Sequence, residues 1–407
     1  MEGQAELDVY TQLLDLKELE VVAAEDSPQQ RTWTVVCKTM WARCPKCGRL
    51  VGRRHEFGER AILDLAMGQR SLVLIVRQPQ FRCDKCFKCF TPPCSAIAPR
   101  TYVTQRLLAC MAEMIKHSDI ANTAAQFGVP EKTLEGWYYD YVARQRQKPP
   151  AVLRPIHCLG IDEISVKKRH RQFCMVLIDH SNGRVLDLLE GREKARLVQW
   201  LKEQKEKGVL SELKQVTLDM WGPYVGAVQE VFGEEVKITA DRFHVAAQFG
   251  QRLNESRREI QRRLPPEAAA DLKGTRWLWV TNEENLTEDE VHRRRALMRQ
   301  YPALGELVRQ RESLREIFEN RNIRSARSGV KRLKRWCERA KELGLRSLNA
   351  FVETMERWME RIANYFVDRS TNARTEGFNH GIRGLLWRAC GMRNLTHLRA
   401  RVLHAFA

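Results

Sequence analysis

Apolar and polar positions in the middle of the chain follow the periods of strands and helices in turn. Strands are predicted over residues 157–164, 171–179 and 184–189, with a hairpin turn at Ser181-Asn182-Gly183. A helix over 193–207, a strand over 215–218, a helix over 224–232 and a strand over 236–240 follow. This order predicts one sheet in which an antiparallel trio precedes strands that alternate with helices.

The flanking segments have other patterns. Residues 104–146 read as helices, and the Gln-Lys-Pro-Pro sequence at 147–150 marks a linker between domains. From about residue 251 to 366 the pattern is helical and strongly basic, and it includes Arg257-Arg258 and a run of cations at 331–335. The first residues, to about 30, are acidic and apolar and show no recognisable chemistry. We therefore predict a multidomain α+β protein.

Charge and composition narrow the class of partner. The chain has 407 residues, a net charge of +18 and a pI of about 9.6, which favours nucleic acid as a partner. The apolar run at residues 72–76 is far too short to span a membrane, and the N-terminus has no signal-peptide pattern. We expect a cytoplasmic protein with no membrane partner. The cysteines occur as close pairs and scattered singles, which favours a reducing compartment and a metal site over disulfides.

Two C-x-x-C pairs predict a structural Zn²⁺ site. The pairs are Cys44/Cys47 and Cys83/Cys86. Each pair offers two thiolates from one tight turn, and two pairs complete a tetrahedral site. Residues 71–82 between them alternate well enough to form a strand. Cys89 and Cys94 lie close by, so Cys86 and Cys89 are both candidates for the fourth ligand, and His55 is a weaker one. The alternatives are unrelated core cysteines or a redox pair.

Residues 120–142 fit a helix-turn-helix. Ala124, Gly128 and Leu134 fall where such a unit needs a small contact, a turn glycine and a core apolar residue. The second helix of the unit would enter the major groove of DNA. Its candidates for contacts to bases are Lys132, Thr133 and Glu135. An ordinary helical hairpin is the alternative, because the exposed positions of that helix are not notably basic.

Three acidic residues have a placement suited to divalent metal ions. Asp162 and Asp219 each end an apolar run, and Glu376 comes much later in the chain. A carboxylate at a strand end is held by the sheet while its oxygens face solvent, and converging carboxylates bind Mg²⁺. A pair of such ions activates a water or a 3′ hydroxyl towards a phosphodiester. Charge alone does not choose among the aspartates near strand ends, which are Asp162, Asp179, Asp187, Asp219 and Asp241.

Four motifs, taken in order, resemble the DDE transposases of bacterial insertion sequences, and most closely their ISL3 group. They are Gly160-Ile161-Asp162-Glu163, Asp219-Met220-Trp221-Gly222-Pro223-Tyr224, Asp241-Arg242-Phe243-His244 and Thr371-Asn372-Ala373-Arg374-Thr375-Glu376-Gly377-Phe378-Asn379. The cysteine pairs and the helix-turn-helix also match the layout of that group, so the resemblance covers nearly the whole chain. At residues 389–391 the chain departs from the group, which usually has an aromatic residue before the glycine.

The predicted strand order is that of an RNase H-like sheet, and the resemblance implies a catalytic domain of this fold interrupted by a helical insertion. We predict a zinc-binding domain (a zinc ribbon) over residues 1–100 and a helix-turn-helix DNA-binding domain over 101–150. The first part of the catalytic core would cover 151–250, the basic insertion 251–366, and a C-terminal helix that completes the core 367–407.

The resemblance also implies roles for single residues. Asp162 would be the first catalytic acid and Glu376 the closing one, and both would be ligands of Mg²⁺ or Mn²⁺. Asp219 is predicted as the second acid because it follows the fourth strand, and Asp241 is the alternative. His244 would be an auxiliary group near the scissile phosphate or, alternatively, a core histidine.

The basic insertion is predicted to contact DNA. Its arginines, Arg257 and Arg258 among them, would bind phosphates, although a solvated helix face is the alternative for any one of them. Four of its tryptophans are candidates to stack on an unpaired base, with core packing as the favoured alternative. They are Trp277, Trp279, Trp336 and Trp358.

The predicted function is that of an insertion-sequence transposase. It would bind the terminal inverted repeats of double-stranded DNA, nick the element end and join the freed 3′ hydroxyl to target DNA. The resemblance implies a homodimer or larger assembly on DNA in the bacterial nucleoid. One alternative is a transposase-derived regulator that binds DNA without catalysis, although all three acids are present. The other is an RNase H-like nuclease that cuts without joining.

Overall fold

The computed structural model of the chain describes residues 2–147, 154–167, 172–392 and 394–407. The chain divides into two compact units, one of Met1–Pro149 with Arg388–Gly391 and the other of Pro150–Trp387 with Met392–Ala407. Most of the predicted linker, residues 148–150, and the predicted strand residue 171 lie outside the described residues. Within the described ranges, no helix combines the length and the apolar character needed to cross a membrane.

The first unit contains a five-stranded sheet preceded by a helix. The helix is α1 (Glu2–Leu14), and the strands are β1 (Leu19–Asp26), β2 (Gln30–Cys37), β5 (Arg54–Met67), β6 (Arg70–Arg82) and β7 (Cys89–Phe90). β1, β2, β6 and β5 lie side by side in that order, and β7 pairs with β6. A ribbon of β3 (Ala42–Arg43) and β4 (Leu50–Val51) precedes β5. The acidic lead-in therefore has a structural role, because Leu14, Leu19 and Val21 are buried with Trp33.

Three helices follow this sheet in the first unit. They are α2 (Gln105–His117), α3 (Ile120–Phe127) and α4 (Glu131–Gln147). The Asp119 side chain caps α3 by accepting a hydrogen bond from the Asn122 N–H at 2.7 Å. α3 ends at Gly128, whose φ of 63° is in the left-handed region that glycine adopts without strain. Leu134 and Ala124 are buried, as the predicted contact between the two helices requires.

A five-stranded mixed sheet forms the centre of the second unit. Its strands are β8 (Cys158–Lys167), β9 (Gln172–Asp179), β10 (Arg184–Glu190), β11 (Gln215–Leu218) and β12 (Lys237–Ala240). Their order across the sheet is β10-β9-β8-β11-β12. β8, β9 and β10 pair antiparallel, whereas β11 is parallel to both β8 and β12. All five predicted strands are present, and β8 continues past its predicted end at Ile164.

The remaining elements of the second unit are a series of α-helices and a short 3-10 helix. The α-helices are α5 (Lys194–Glu206), α6 (Gly222–Phe232), α7 (Arg242–Arg262), α8 (Pro266–Asp271), α9 (Arg276–Val280), α10 (Glu288–Gln300), α11 (Pro302–Glu319), α12 (Ala326–Glu342), α13 (Arg346–Ala363), α14 (Tyr365–Asp368), α15 (Ala373–Arg388) and α16 (Leu395–Phe406). The 3-10 helix, Glu283–Asn285, lies between α9 and α10. The predicted boundary at residue 250, where the helical insertion is expected to begin, falls inside α7.

Side chains of the central sheet alternate between two cores, because successive residues of a strand point to opposite faces. Along β9, Met175 and Leu177 belong to the core that includes α5, α6 and the helices from α7 to α13. Cys174, Val176 and Ile178 belong to a second core with α15 and α16. α15, which carries Glu376, therefore packs on the face of the sheet opposite to α5 and α6. Full burial of each such side chain contributes roughly 1.5–3 kcal/mol.

Three of the four tryptophans proposed for base stacking are core residues. Trp336 is 0% exposed, Trp279 1% and Trp358 7%, and the indole N–H of Trp336 donates to the Gln310 carbonyl at 2.9 Å. Trp277 is 63% exposed. Core packing therefore accounts for Trp279 and Trp336, which have no open face on which a base could stack.

Candidate active site and cysteine cluster

Three aspartates lie at one level across three neighbouring strands. Ile161 of β8 pairs with Leu218, the last residue of β11, and Leu218 pairs with Ala240, the last residue of β12. Because these pairings are parallel, the residues that follow the paired members lie at the same level across the sheet. Those residues are Asp162, Asp219 and Asp241. The sheet register thus brings the predicted first acid, which lies within β8, level with both candidates for the second acid, which follow the last residues of β11 and β12.

Asp162 is held from two sides. Its side chain is buried, with Oδ1 accepting the Glu163 N–H at 2.8 Å and Oδ2 accepting the Asn379 side-chain amide at 2.8 Å. Burial raises the pKa of Asp162 to about 6, and the negative charges of Asp219 and Asp241 add to that rise. The three aspartates are therefore close enough to affect one another electrostatically.

His244 lies between the two candidates for the second acid. Its Nδ1 is 3.2 Å from Asp219 Oδ1, and its Nε2 is 3.9 Å from Asp241 Oδ2. Asp219 is part-exposed, with 31% of its side chain accessible, whereas the Asp241 side chain is fully buried. His244 is therefore a neighbour of both acids and not a histidine enclosed in the apolar core, since 31% of its own side chain is accessible.

Asp241 has a structural role at the start of α7. Its Oδ1 accepts the Phe243 N–H at 3.4 Å, which caps the helix, and the Asn372 N–H at 3.2 Å. Burial raises the pKa of Asp241, and the charge of Glu376 adds to the rise. Among the described residues, Asp241 Oδ2 has no hydrogen-bond partner although it is buried. A buried carboxylate oxygen without a partner is costly, so this atom is suited to a further cation or donor.

Glu376 is exposed in the first turn of α15, between two contacts to the aspartates. On one side its N–H donates to the Asn372 carbonyl at 2.9 Å, and Asn372 in turn contacts Asp241. On the other side, the next turn of the helix presents Asn379 to Asp162. The start of α15 therefore carries the late glutamate between two residues that contact Asp241 and Asp162, which are distant from it in the chain.

A packed cluster around Gly160 fixes the start of α15. Thr375 Oγ1 is 2.7 Å from His180 Nε2, and both side chains lie over Gly160. A Cβ added at Gly160 would lie 2.7 Å from Thr375 Oγ1 and would also collide with His180. Thr217 completes the connection by donating to Asn372 Oδ1 at 2.6 Å. The glycine two positions before Asp162 thus allows the helix that carries Glu376 to approach the strand.

The four predicted zinc ligands converge in the first unit. Cys44 Sγ is 3.4 Å from Cys86 Sγ, and Cys47 Sγ is 3.6 Å from Cys83 Sγ. All four sulfurs lie within 4.8 Å of one another. The Cys86 N–H stabilises the Cys83 thiolate and lowers the pKa of that thiol to about 6. This set of sulfurs has the size and chemistry of a tetrahedral thiolate site.

The structure also separates the cluster from the other candidate ligands. Cys89 is exposed in β7, His55 is exposed in β5, and neither belongs to the cluster. In the described part of the chain, the cysteines form the one set of three or more such ligands with atoms within 4.8 Å of one another. The acids at the sheet edge are more widely spaced than that.

The predicted DNA contacts have different surroundings. Lys132 and Arg258 are exposed, whereas Thr133 and Glu135 are half-buried. Arg257 is 7% exposed, and it donates to Asn254 Oδ1, Gln261 Oε1 and the Leu272 carbonyl. The predicted phosphate contact of Arg257 is not supported, because its guanidinium is enclosed and stabilises the turn after α7 instead.

Several residues that contact the acids or support the start of α15 have no role predicted from the sequence. They are His180, Thr217, Asn372, Thr375 and Asn379. One signal was available, because Asn379 follows Glu376 by three positions in a helix and therefore lies on the same face. His180 and Thr217 carried no such signal, since their contacts depend on how strands and α15 pack.

Comparison with known proteins places both units in one family. Residues 159–402 match the ISL3 DDE family described as "Transposase", and residues 42–86 match the family described as the zinc-finger of transposase IS204/IS1001/IS1096/IS1165. The chain is 24% identical over 370 residues to the transposase for insertion sequence element IS1001 of Bordetella parapertussis. This match covers 89% of this chain and 88% of that protein. It is 28% identical over 201 residues to the transposase for insertion sequence element IS1557 of Mycobacterium tuberculosis, which covers 44% of each. The predicted family and the predicted zinc ribbon are thus confirmed, and the chain belongs to the ISL3 family of DDE transposases.

Proposed function

We propose that the chain cleaves and joins DNA at the ends of an insertion sequence, with Asp162, Asp219 and Glu376 as its catalytic acids. The observation that carries this proposal is the convergence at the sheet edge. Strand register aligns Asp162 with Asp219, and the two asparagines that flank Glu376 contact Asp162 and Asp241. Carboxylates gathered from separate parts of a chain are costly to hold together unless a cation joins them.

Mg²⁺ or Mn²⁺ fits this set of donors. The groups are hard carboxylate oxygens, and the part-exposed Asp219 and the exposed Glu376 are accessible. The residues that would hold the ions are Asp162, Asp219 and Glu376. When bound, the ions would lower the pKa of an attacking hydroxyl and stabilise the negative charge on the leaving oxygen.

Asp219 is our choice for the second acid, and Asp241 then positions the site. Asp241 is fully buried, caps α7 and receives the Asn372 N–H, so its geometry is committed to the fold. Asp219 is accessible and contacts the equally accessible His244. In this assignment His244 orients Asp219 and can hold a proton near the scissile phosphate, and Asn379 orients Asp162 through its amide.

The sheet supports an RNase H-like core. Its order of β10-β9-β8-β11-β12, with an antiparallel trio beside two parallel strands, is the order expected for that fold. In our proposal α7 leads into the helical insertion, which occupies the chain between β12 and α14, and α15 returns to complete the core. The exposed cations of the insertion, Arg258 among them, would bind DNA phosphates.

We assign DNA recognition to the first unit. The cysteine cluster would bind a structural Zn²⁺ through Cys44, Cys47, Cys83 and Cys86. α3 and α4 would form the helix-turn-helix, with the exposed Lys132 at the start of the second helix near the DNA. The partners are the terminal inverted repeats and target DNA, and two chains or more would act on two element ends in the nucleoid.

The test is Mg²⁺-dependent nicking of labelled element-end DNA by the purified chain. Asp162→Asn should abolish nicking while leaving DNA binding intact, because the side chain keeps its shape and loses its charge. Asp289→Asn, which changes an exposed aspartate in α10, serves as the matched control and should nick normally. Nicking that persists in Asp162→Asn would refute the assignment. Strand-transfer products would separate a transposase from a nuclease that cuts without joining.

A further inference from the structure

A cavity opens beside the candidate acid site. It has a volume of about 480 Å³ and lies between the start of α6 and one face of α13. Its wall begins at Met220, the residue directly after Asp219, and continues with Trp221. From α13 it receives Arg357, Trp358 and Arg361. Pockets that take small organic groups have volumes of roughly 300–1,000 Å³, so this one is large enough for a nucleotide.

Trp221 is exposed and yet held in place. Trp221 is 40% exposed and lies at the N-terminal end of α6. The Arg192 guanidinium lies over the Trp221 ring at 5.2 Å and over the Phe173 ring at 5.0 Å. Arg192 is also 3.9 Å from a Glu163 carboxylate oxygen. These contacts orient an aromatic ring that is exposed to solvent and lies two residues from Asp219.

The cavity also presents two arginines. Arg357 is exposed and Arg361 half-exposed, and neither forms an ion pair with any residue in the described part of the chain. The Arg361 guanidinium lies 5.7 Å from the centre of the Trp358 ring. A planar guanidinium without a carboxylate partner is suited to a phosphate or to the edge of a base. The exposed indole of Trp221 together with such arginines matches the chemistry of one nucleotide, which has a flat base and a charged phosphate.

We infer that this cavity binds an unpaired nucleotide of the DNA strand that is cut at the acid site. The inference rests on the proposed function, because it takes the scissile phosphate to lie at Asp162 and Asp219. The base stacks on Trp221, and its phosphate lies against Arg357 and Arg361. Stacking of this kind is tolerant of sequence, since every base has a flat face. The cavity thereby holds a strand that has left the duplex next to the cleavage position.

Photo-crosslinking tests the inference without relying on catalysis. The full chain, without added divalent cation, is irradiated with a single-stranded oligothymidylate that carries one 5-iodouracil, and the crosslinked peptides are identified by mass spectrometry. The expected result is a crosslink at Trp221. Trp221→Ala should reduce the yield by about fivefold or more, whereas Trp387→Ala, which removes another exposed indole of the same unit, should leave the yield unchanged. Crosslinks that map elsewhere, or an equal yield from Trp221→Ala, would overturn the inference.

A second measurement separates this inference from the proposed function. Nicking is measured with element-end duplexes that are fully paired or that carry unpaired bases next to the cleavage position. If the cavity holds an unpaired nucleotide, Trp221→Ala nicks paired DNA poorly and recovers on the unpaired substrate. If neither the natural chain nor any variant nicks DNA but the crosslink at Trp221 remains, the cavity stands and the catalytic proposal fails. Normal nicking of paired DNA by Trp221→Ala overturns the inference alone.

Discussion

The cysteine cluster and the acid site reach their geometry by different routes. The cysteines come from two short turns, so only two pieces of backbone must meet for four sulfurs to lie within 4.8 Å. The acids come from β8, from the residue after β11 and from α15, and their meeting depends on strand register and on how one helix packs. A local cluster can thus be predicted from the spacing of residues in the sequence, and it depends little on the surrounding structure. A site assembled from distant elements depends on supporting residues such as Gly160 and Asn379.

The largest expected effect comes from removing the late acid. Glu376→Gln should lower the rate of Mg²⁺-dependent nicking by about a thousandfold or more, because a metal ligand that stabilises the transition state contributes several kcal/mol. Stability should be unchanged, since Glu376 is exposed. Glu353→Gln, at an exposed position of α13, is the matched control. If Glu376→Gln keeps most of the nicking rate, α15 does not supply a catalytic acid.

Zinc removal should destabilise the first unit and leave the acid site of the second unit unaffected. Chelation of Zn²⁺, or Cys83→Ser, should lower the free energy of unfolding of the first unit by several kcal/mol, because the binding energy of a structural ion is also folding energy. Binding to element ends should weaken with it. Cys89→Ser, at an exposed cysteine outside the cluster, should change neither quantity. Two thermal transitions followed by calorimetry would report this, and an unchanged first unit would contradict the assignment.

His180, which contacts Thr375 at the start of α15, should make the free energy of unfolding depend on pH. Burial lowers the pKa of His180 to about 4, and the charge of Arg374 adds to the shift. The unfolded chain therefore binds more protons between about pH 4 and 6.5, so the stabilisation is full above pH 6.5 and is lost as the pH falls towards 4. The free energy of unfolding should fall by about 3 kcal/mol in total over this pH range because of His180. His180→Gln should flatten this slope in thermal unfolding, and His380→Gln, at an exposed histidine, should retain it. An equal slope in both variants would contradict the buried, neutral state of His180.

A smaller effect is expected for the amide that orients Asp162. Asn379→Ala removes the 2.8 Å hydrogen bond to Asp162 Oδ2 and should lower the nicking rate by roughly tenfold to a hundredfold. DNA affinity should be unaffected, because Asn379 is buried beneath the site. His380→Ala, one position along the same helix, is the control. A loss of affinity without a loss of rate would place Asn379 outside the acid site.

Much of the second unit could be predicted from the sequence because its signals are periodic. Strands of alternating or continuous apolar residues predicted all five members of its sheet, and in the first unit the spacing of the cysteines predicted the cluster. The surroundings of single charged residues were not predictable in this way. Arg257 looked like the exposed Arg258 beside it, but successive helix positions point in different directions, and Arg257 is enclosed by the turn after α7. Asn372 and His180 acquire their contacts only when α15 packs on the sheet.

The central claim is that Asp162, Asp219 and Glu376 share a cation, and Mn²⁺ binding tests it most directly. Mn²⁺ bound to the zinc-loaded full chain is measured by electron paramagnetic resonance for Asp162→Asn, Glu376→Gln and the double variant. The account predicts that each single change weakens binding of the same ion and that the double change weakens it by less than the sum of the two free energies. Binding by Glu376→Gln that equals that of the natural chain, while Asp162→Asn alone loses it, would contradict a shared site.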